Sequence, residues 1–123
     1  MSIIPAPQRA THDTGAARFT SLATPSRGST ETAVWHVEIE VGAPAAPHSV
    51  TREEVFVVLD GTASVRIGDV VGLANKTDAI VVPADTEFEL TNGGEVALRL
   101  LCCFPVGGQA RFNGATFTPP WAE

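Results

Sequence analysis

Between Thr32 and Val41 apolar and polar side chains alternate, in strict order from Trp35 onward. Trp35, Val37, Ile39 and Val41 fall on one side, and His36, Glu38 and Glu40 on the other. A period of two belongs to an extended strand, because successive side chains leave it on opposite faces. One apolar and one polar face predict a strand half-buried against a core, with His36 on the surface side. Similar short runs fill much of the remaining chain, and each stops at a turn former. Arg18 to Ala23 ends in Thr24-Pro25-Ser26-Arg27-Gly28, Val55 to Leu59 in Asp60-Gly61, and Ala63 to Ile67 in Gly68-Asp69. Ala79 to Val82 stops at Pro83, Glu87 to Thr91 at Asn92-Gly93-Gly94, and Val96 to Phe104 at Pro105. His48 to Val50 reads as a short extended piece and residues 69–78 as a weak strand or loop. Residues 107–123 show no clear period.

About eight to ten short strands with tight turns and no helix predict an all-β sandwich or barrel. Eleven glycines and nine prolines in 123 residues agree with many turns. The length suits one domain with a core of its own. Residues 1–17 are polar and irregular and read as an N-terminal arm carrying His12, with a single domain over 18–123. A net charge of −6 with no basic cluster disfavours nucleic acid and anionic lipid as partners. The N-terminus lacks a charged segment followed by a long apolar one, and no apolar run approaches the roughly 20 residues of a membrane span. Cys102 and Cys103 are adjacent and poorly placed to pair. These features lead us to expect a reduced, cytoplasmic protein.

One spacing is more specific. Gly42, His48, Glu54 and Gly61 are separated by five, five and six residues, with Val50 two beyond His48. This run resembles the first motif of the cupin superfamily, in which Gly is followed by His-x-His, Glu and Gly at these intervals. Thr77 to Asn92 resembles the second motif. Pro83 and Asn92 match it, whereas Thr77 and Asp85 replace its two glycines and Phe88 its histidine. With flanking strands the resemblance spans about residues 30–105. It implies a β-jelly roll, or double-stranded β-helix, whose interior opens at one end and holds a small ligand. It also implies a metal on three histidines and one glutamate, at the positions filled here by His48, Val50, Glu54 and Phe88.

Two of those four residues cannot ligate. His-x-His works because residues two apart on a strand share a face, about 6.5 Å apart, and a catalytic metal normally takes three protein ligands. His48 and Glu54 alone make a weak site for a divalent ion. On Val96 to Phe104 the even positions are apolar and the odd set includes Arg99, so Cys102 is expected to face the interior as a further soft ligand or as a small buried hydrophobe. Phe56 and Leu90 share the inward parity expected of Phe88. The expected pocket residues are therefore His48, Val50, Glu54, Phe56, Phe88, Leu90 and Cys102. Phe88 either makes that pocket dry or plugs it. Burying Glu54 is costly unless it pairs with His48, keeps its proton or reaches solvent. Phe112, Phe117 and Trp121 in the tail are expected to pack over a sheet or cap the pocket.

Three functions follow as expectations. The first is a small-molecule binder that has lost or weakened its metal site. The second is a metal-dependent enzyme, dioxygenase- or isomerase-like, using His48 and Glu54 with a non-standard third ligand. The third is a structural or assembly role. The apolar run Val55 to Leu59 is consistent with burial on two faces, and with the resemblance it suggests a homodimer.

Overall fold

A computed structural model describes residues 2–123. Its strands in chain order are β1 (His12–Asp13), β2 (Ala17–Ala23), β3 (Thr32–Ile39), β4 (Ser49–Val50), β5 (Glu54–Asp60) and β6 (Ala63–Ile67). They continue with β7 (Val70–Ala74), β8 (Ala79–Val82), β9 (Phe88–Asn92), β10 (Leu98–Pro105), β11 (Ala110–Phe112) and β12 (Ala115–Phe117). Two short 3-10 turns, Pro25–Arg27 and Pro120–Ala122, complete the elements, and no α-helix occurs among the described residues. Each 3-10 turn begins at a proline, whose fixed φ suits a first helical position.

One sheet has six strands in the order β1-β2-β3-β10-β5-β8. Two smaller sheets, β12-β11-β4 and β7-β6-β9, are linked by an isolated antiparallel bridge between His48 and Phe88. All pairings are antiparallel. The alternation seen in the sequence selects the inner face. Trp35 and Val37 of β3, Phe56 and Val58 of β5, and Leu98, Leu100, Cys102 and Phe104 of β10 are buried in one core. Val65, Val82 and Phe88 join it from other strands. On the opposite face of β5, Val55 and Val57 are only half-buried and Leu59 is exposed, so the single chain covers one side of this run.

Several boundaries differ from the sequence reading. β3 ends at Ile39, and Val41 is 54% exposed beyond it. A turn follows, with the Ala43 amide donating to the Glu40 carbonyl and Gly42 at φ +82°. β10 starts at Leu98, because the Asn92 side-chain amide holds the preceding loop by donating to the carbonyls of Val96 (2.8 Å) and Ile39 (3.0 Å). Residues 70–74 form a full strand paired with β6. Its Val70, Val71 and Leu73 are exposed on the sheet edge, which is why no alternation marks it. The N-terminal segment is tied to the domain through β1, where His12 and Asp13 pair with Phe19 and Arg18. His12, expected in a solvated arm, stands edge-on to Trp121 with ring centroids 6.5 Å apart.

The glycine at the Asp60-Gly61 turn is required. Its φ is +83°, and an added Cβ would lie 2.9 Å from the Ala97 carbonyl oxygen. The turns before β8 and β9 hold the same left-handed geometry without glycine, at Thr77 (φ 75°) and Asp85 (φ 61°). These are the two places where the sequence departs from glycine in the second motif. Their amides donate to the carbonyls of Val58 and Val50, each at 2.8 Å, which holds the conformation in place.

Candidate functional site

The inner faces of the sheets do not meet completely. They leave a cavity of about 470 Å³, within the usual range of small-molecule sites. Six of the seven residues expected in a pocket line it: His48, Val50, Glu54, Phe56, Phe88 and Leu90.

Glu54 opens β5 after a bend at Thr51 and Arg52. Thr51 is tied to the tail: its amide donates to the Gln109 carbonyl (2.8 Å), and its hydroxyl accepts from the Gln109 amide (2.9 Å). Glu54 therefore shares the inward parity of Phe56 and Val58 and is 5% exposed. Loss of water raises its pKa from 4.5 to about 8, with no opposing positive charge or hydrogen bond. At neutral pH the carboxyl is mainly protonated, so it can donate a hydrogen bond as well as accept one.

His48 precedes β4. Its backbone bridges Phe88, and its Nδ1 lies 2.8 Å from the Ala46 carbonyl oxygen. A carbonyl only accepts, so Nδ1 carries the hydrogen, which leaves Nε2 as the ring nitrogen free for another partner. The imidazole packs on the Phe88 ring. Phe88 also meets Phe56, at 6.0 Å between centroids. The walls are thus mainly hydrocarbon, with a carboxylic acid and an imidazole as their titratable groups.

Cys102 requires a correction. Its inward parity holds, but it lies fully buried in the core and does not line the cavity, while Leu100 and Phe104 on either side do. Its cross-strand neighbours are Trp35 and Phe56, whose rings reach the cavity surface beyond the short thiol. Burial first, and then the nearby Glu54, push the thiol pKa well above its ordinary value. It stays protonated, whereas a metal ligand must be a thiolate.

The sequence reading missed much of the wall. Thr14, Ala17 and Phe19 reach the cavity from the N-terminal segment, and Pro44 and Ala46 from the loop before His48. The tail supplies Phe112, Phe117 and Trp121, so these residues cap the pocket as well as pack. Trp121 is stacked on Phe19 at 3.6 Å with planes 7° apart. β11 reaches the site by pairing with β4, and Arg111 forms an ion pair with Asp85. The only sequence signal was three aromatic residues in an otherwise small and polar tail. His36 lies outside the site, half-buried on the outer face of β3.

An antiparallel β-jelly roll with a cavity between its sheets defines the class of protein. Residues 35–104 match the sequence profile of the cupin domain family, and the chain belongs to that family. Solved structures with the same fold include an RmlC-like cupin from Shewanella frigidimarina. It is 18% identical, with 80% of this chain and 84% of that one covered and a TM-score of 0.68. The polyketide cyclase RemF from Streptomyces resistomycificus is 16% identical, with 94% and 84% covered and a TM-score of 0.71. KdgF from a Halomonas species is 18% identical, with 76% and 84% covered and a TM-score of 0.66. No curated protein matches in sequence.

The fold family implies a metal, and the donors present do not fit one. Val50 and Phe88 offer no lone pair, and Cys102 is sealed in the core. Among the described residues no three His, Cys, Asp or Glu side chains are grouped to hold an ion. Among the same residues no helix is long and apolar enough to cross a membrane.

Proposed function

We propose that this cupin binds a small, predominantly apolar molecule in its barrel without a coordinating metal, with Glu54 and His48 orienting the ligand. The observation that carries the reading is the cavity itself. About 470 Å³ stays open between the sheets, and one uncompensated buried carboxyl group lines it. A carboxyl buried without a partner costs stability, which is the pattern expected where a side chain serves a ligand.

The chemistry follows from the two polar groups. Protonated Glu54 donates to a carbonyl or hydroxyl oxygen. His48, with its Nδ1 hydrogen held on the Ala46 carbonyl, offers Nε2 to a ligand polar group. A carboxyl and an imidazole in one dry pocket also suffice for general acid–base work on a bound substrate. The walls supply most of the affinity by desolvation, at about 25 cal/mol per Å² of apolar surface removed from water.

The test is a panel of small neutral molecules, acids and sugars screened by thermal shift on chelator-treated protein. Stabilisation by apolar members bearing one or two hydrogen-bonding groups supports the proposal. A flat response across the panel refutes it.

A further inference from the structure

The chain has six phenylalanines, two tryptophans and no tyrosine. All eight aromatic side chains line the one cavity. Four form its inner part. Trp35 and Phe104 meet edge to face at 6.1 Å, and Phe56 and Phe88 are tilted at 6.0 Å. Four stand on the terminal segments: Phe19 and Trp121 as a stacked pair, and Phe112 and Phe117 on the β11–β12 hairpin.

Filling a core accounts for the inner four, of which Trp35, Phe88 and Phe104 are no more than 2% exposed, but not for the terminal four. Aromatic residues recruited for packing close the space between them, and interiors rarely keep voids larger than a water molecule. Here the terminal rings border open volume and are left part-exposed. Phe112 and Phe117 remain 38% and 37% exposed while still lining it. Aromatic side chains on a hairpin, left half in water at a cavity wall, are surfaces waiting for a partner.

The rest of the lining narrows the partner's chemistry. No lysine or arginine lines the cavity, so a ligand carboxylate or phosphate would find no guanidinium or ammonium there. The Thr14 hydroxyl is engaged with the Ala17 carbonyl at 3.2 Å. Phe19 and Trp121 are part-exposed as well, so four ring surfaces are free for a further aromatic ring, which gains attraction beyond its buried area.

We infer that the ligand is a neutral, planar, fused-ring aromatic molecule, held against the terminal rings Phe19, Trp121, Phe112 and Phe117, with the buried inner rings behind it. This narrows the binding role proposed above and rests on it. A saturated molecule of the same size and head group would desolvate equally but lose the ring–ring contribution.

Titration calorimetry of chelator-treated protein with β-naphthol and its fully saturated counterpart, β-decalol, separates the two claims. The inference predicts that β-naphthol binds at least about tenfold more tightly, the sum of two or more ring contacts. It predicts a reduced preference in the Phe112→Leu/Phe117→Leu variant, with melting temperature measured alongside to show that the variant is folded. If the double variant is unfolded, Phe112→Leu alone carries that comparison. Equal affinity for the two probes, or tighter binding of β-decalol, overturns the aromatic inference and leaves the binding role standing. Failure of both probes to bind overturns the inference together with the reading beneath it.

Discussion

The imidazole of His48 packs against the ring of Phe88 with centroids 4.5 Å apart and planes inclined by 49°, while the two backbones exchange hydrogen bonds of 3.0 and 2.8 Å. The position of the first motif histidine and that of the second motif histidine thus face each other across a β-bridge. The juxtaposition is present, with a hydrocarbon ring at one of the two positions. Val50, two residues beyond His48, is hydrocarbon as well. A geometry suited to converging imidazoles forms one wall of an apolar pocket.

If donor chemistry alone is missing, restoring it should restore coordination. The Val50→His/Phe88→His variant is expected to bind a divalent ion such as Ni²⁺ one-to-one and reversibly, where the parent protein shows no saturable binding by calorimetry. Without metal the variant should be destabilised by about 2–4 kcal/mol, because a large buried ring is replaced by a smaller polar one. Added metal should recover part of that loss through linkage. A folded double variant that ignores the metal would show that the backbone no longer holds ligand geometry.

Glu54 makes a prediction about pH. Its folded-state pKa of about 8 lies above the ordinary 4.5. Below about pH 4.5 the group is neutral in both folded and unfolded chains. Between the two values the unfolded chain gives up the proton that the folded chain keeps, so stability falls as pH rises, by about 1.4 kcal/mol per unit. Above about 8 both forms are ionised and the contribution is flat. Urea denaturation of the protein and of Glu54→Gln at matched pH isolates this group. The variant should gain relative stability steadily from about pH 5 to pH 8. Parallel curves would mean that Glu54 titrates normally.

The two left-handed turns differ in cost. Thr77 is β-branched at φ 75°, where a non-glycine residue costs roughly 1–2 kcal/mol. Glycine removes that strain but adds about 0.5–1 kcal/mol of unfolded-chain entropy. Thr77→Gly should therefore stabilise by about 0.5–1 kcal/mol. Asp85 tolerates φ 61° better and also pairs with Arg111, an exposed contact worth about 0–1 kcal/mol. Asp85→Gly should bring no gain. Chemical denaturation of both variants checks the contrast, and equal effects would count against it.

How much could be read beforehand follows from what each residue does. β3, β5 and β10 were legible because their inner and outer faces differ sharply, so alternation reports the pleat. β7 was not, because its apolar residues sit on an exposed edge. β1, β11 and β12 were not, because two or three residues cannot establish a period. The polar half of the site was legible through spacing, since His48, Val50, Glu54 and Phe88 belong to recognisable motifs. Its cover was legible in part: Phe112, Phe117 and Trp121 stood out in the tail, whereas Phe19 gave no signal, because the pairings that bring them together are distant in sequence. Cys102 marks the limit of parity: alternation told which way it faces, and its larger neighbours determined that it stops short of the cavity.

The central claim is that the barrel is a ligand pocket that works without metal. The most direct measurement is calorimetric titration of β-naphthol into protein first dialysed against chelator, then repeated after adding excess Ni²⁺ or Zn²⁺. The account predicts saturable one-to-one binding in the metal-free protein and an unchanged affinity when metal is added. Binding that is absent after chelation and appears only with the metal would contradict it.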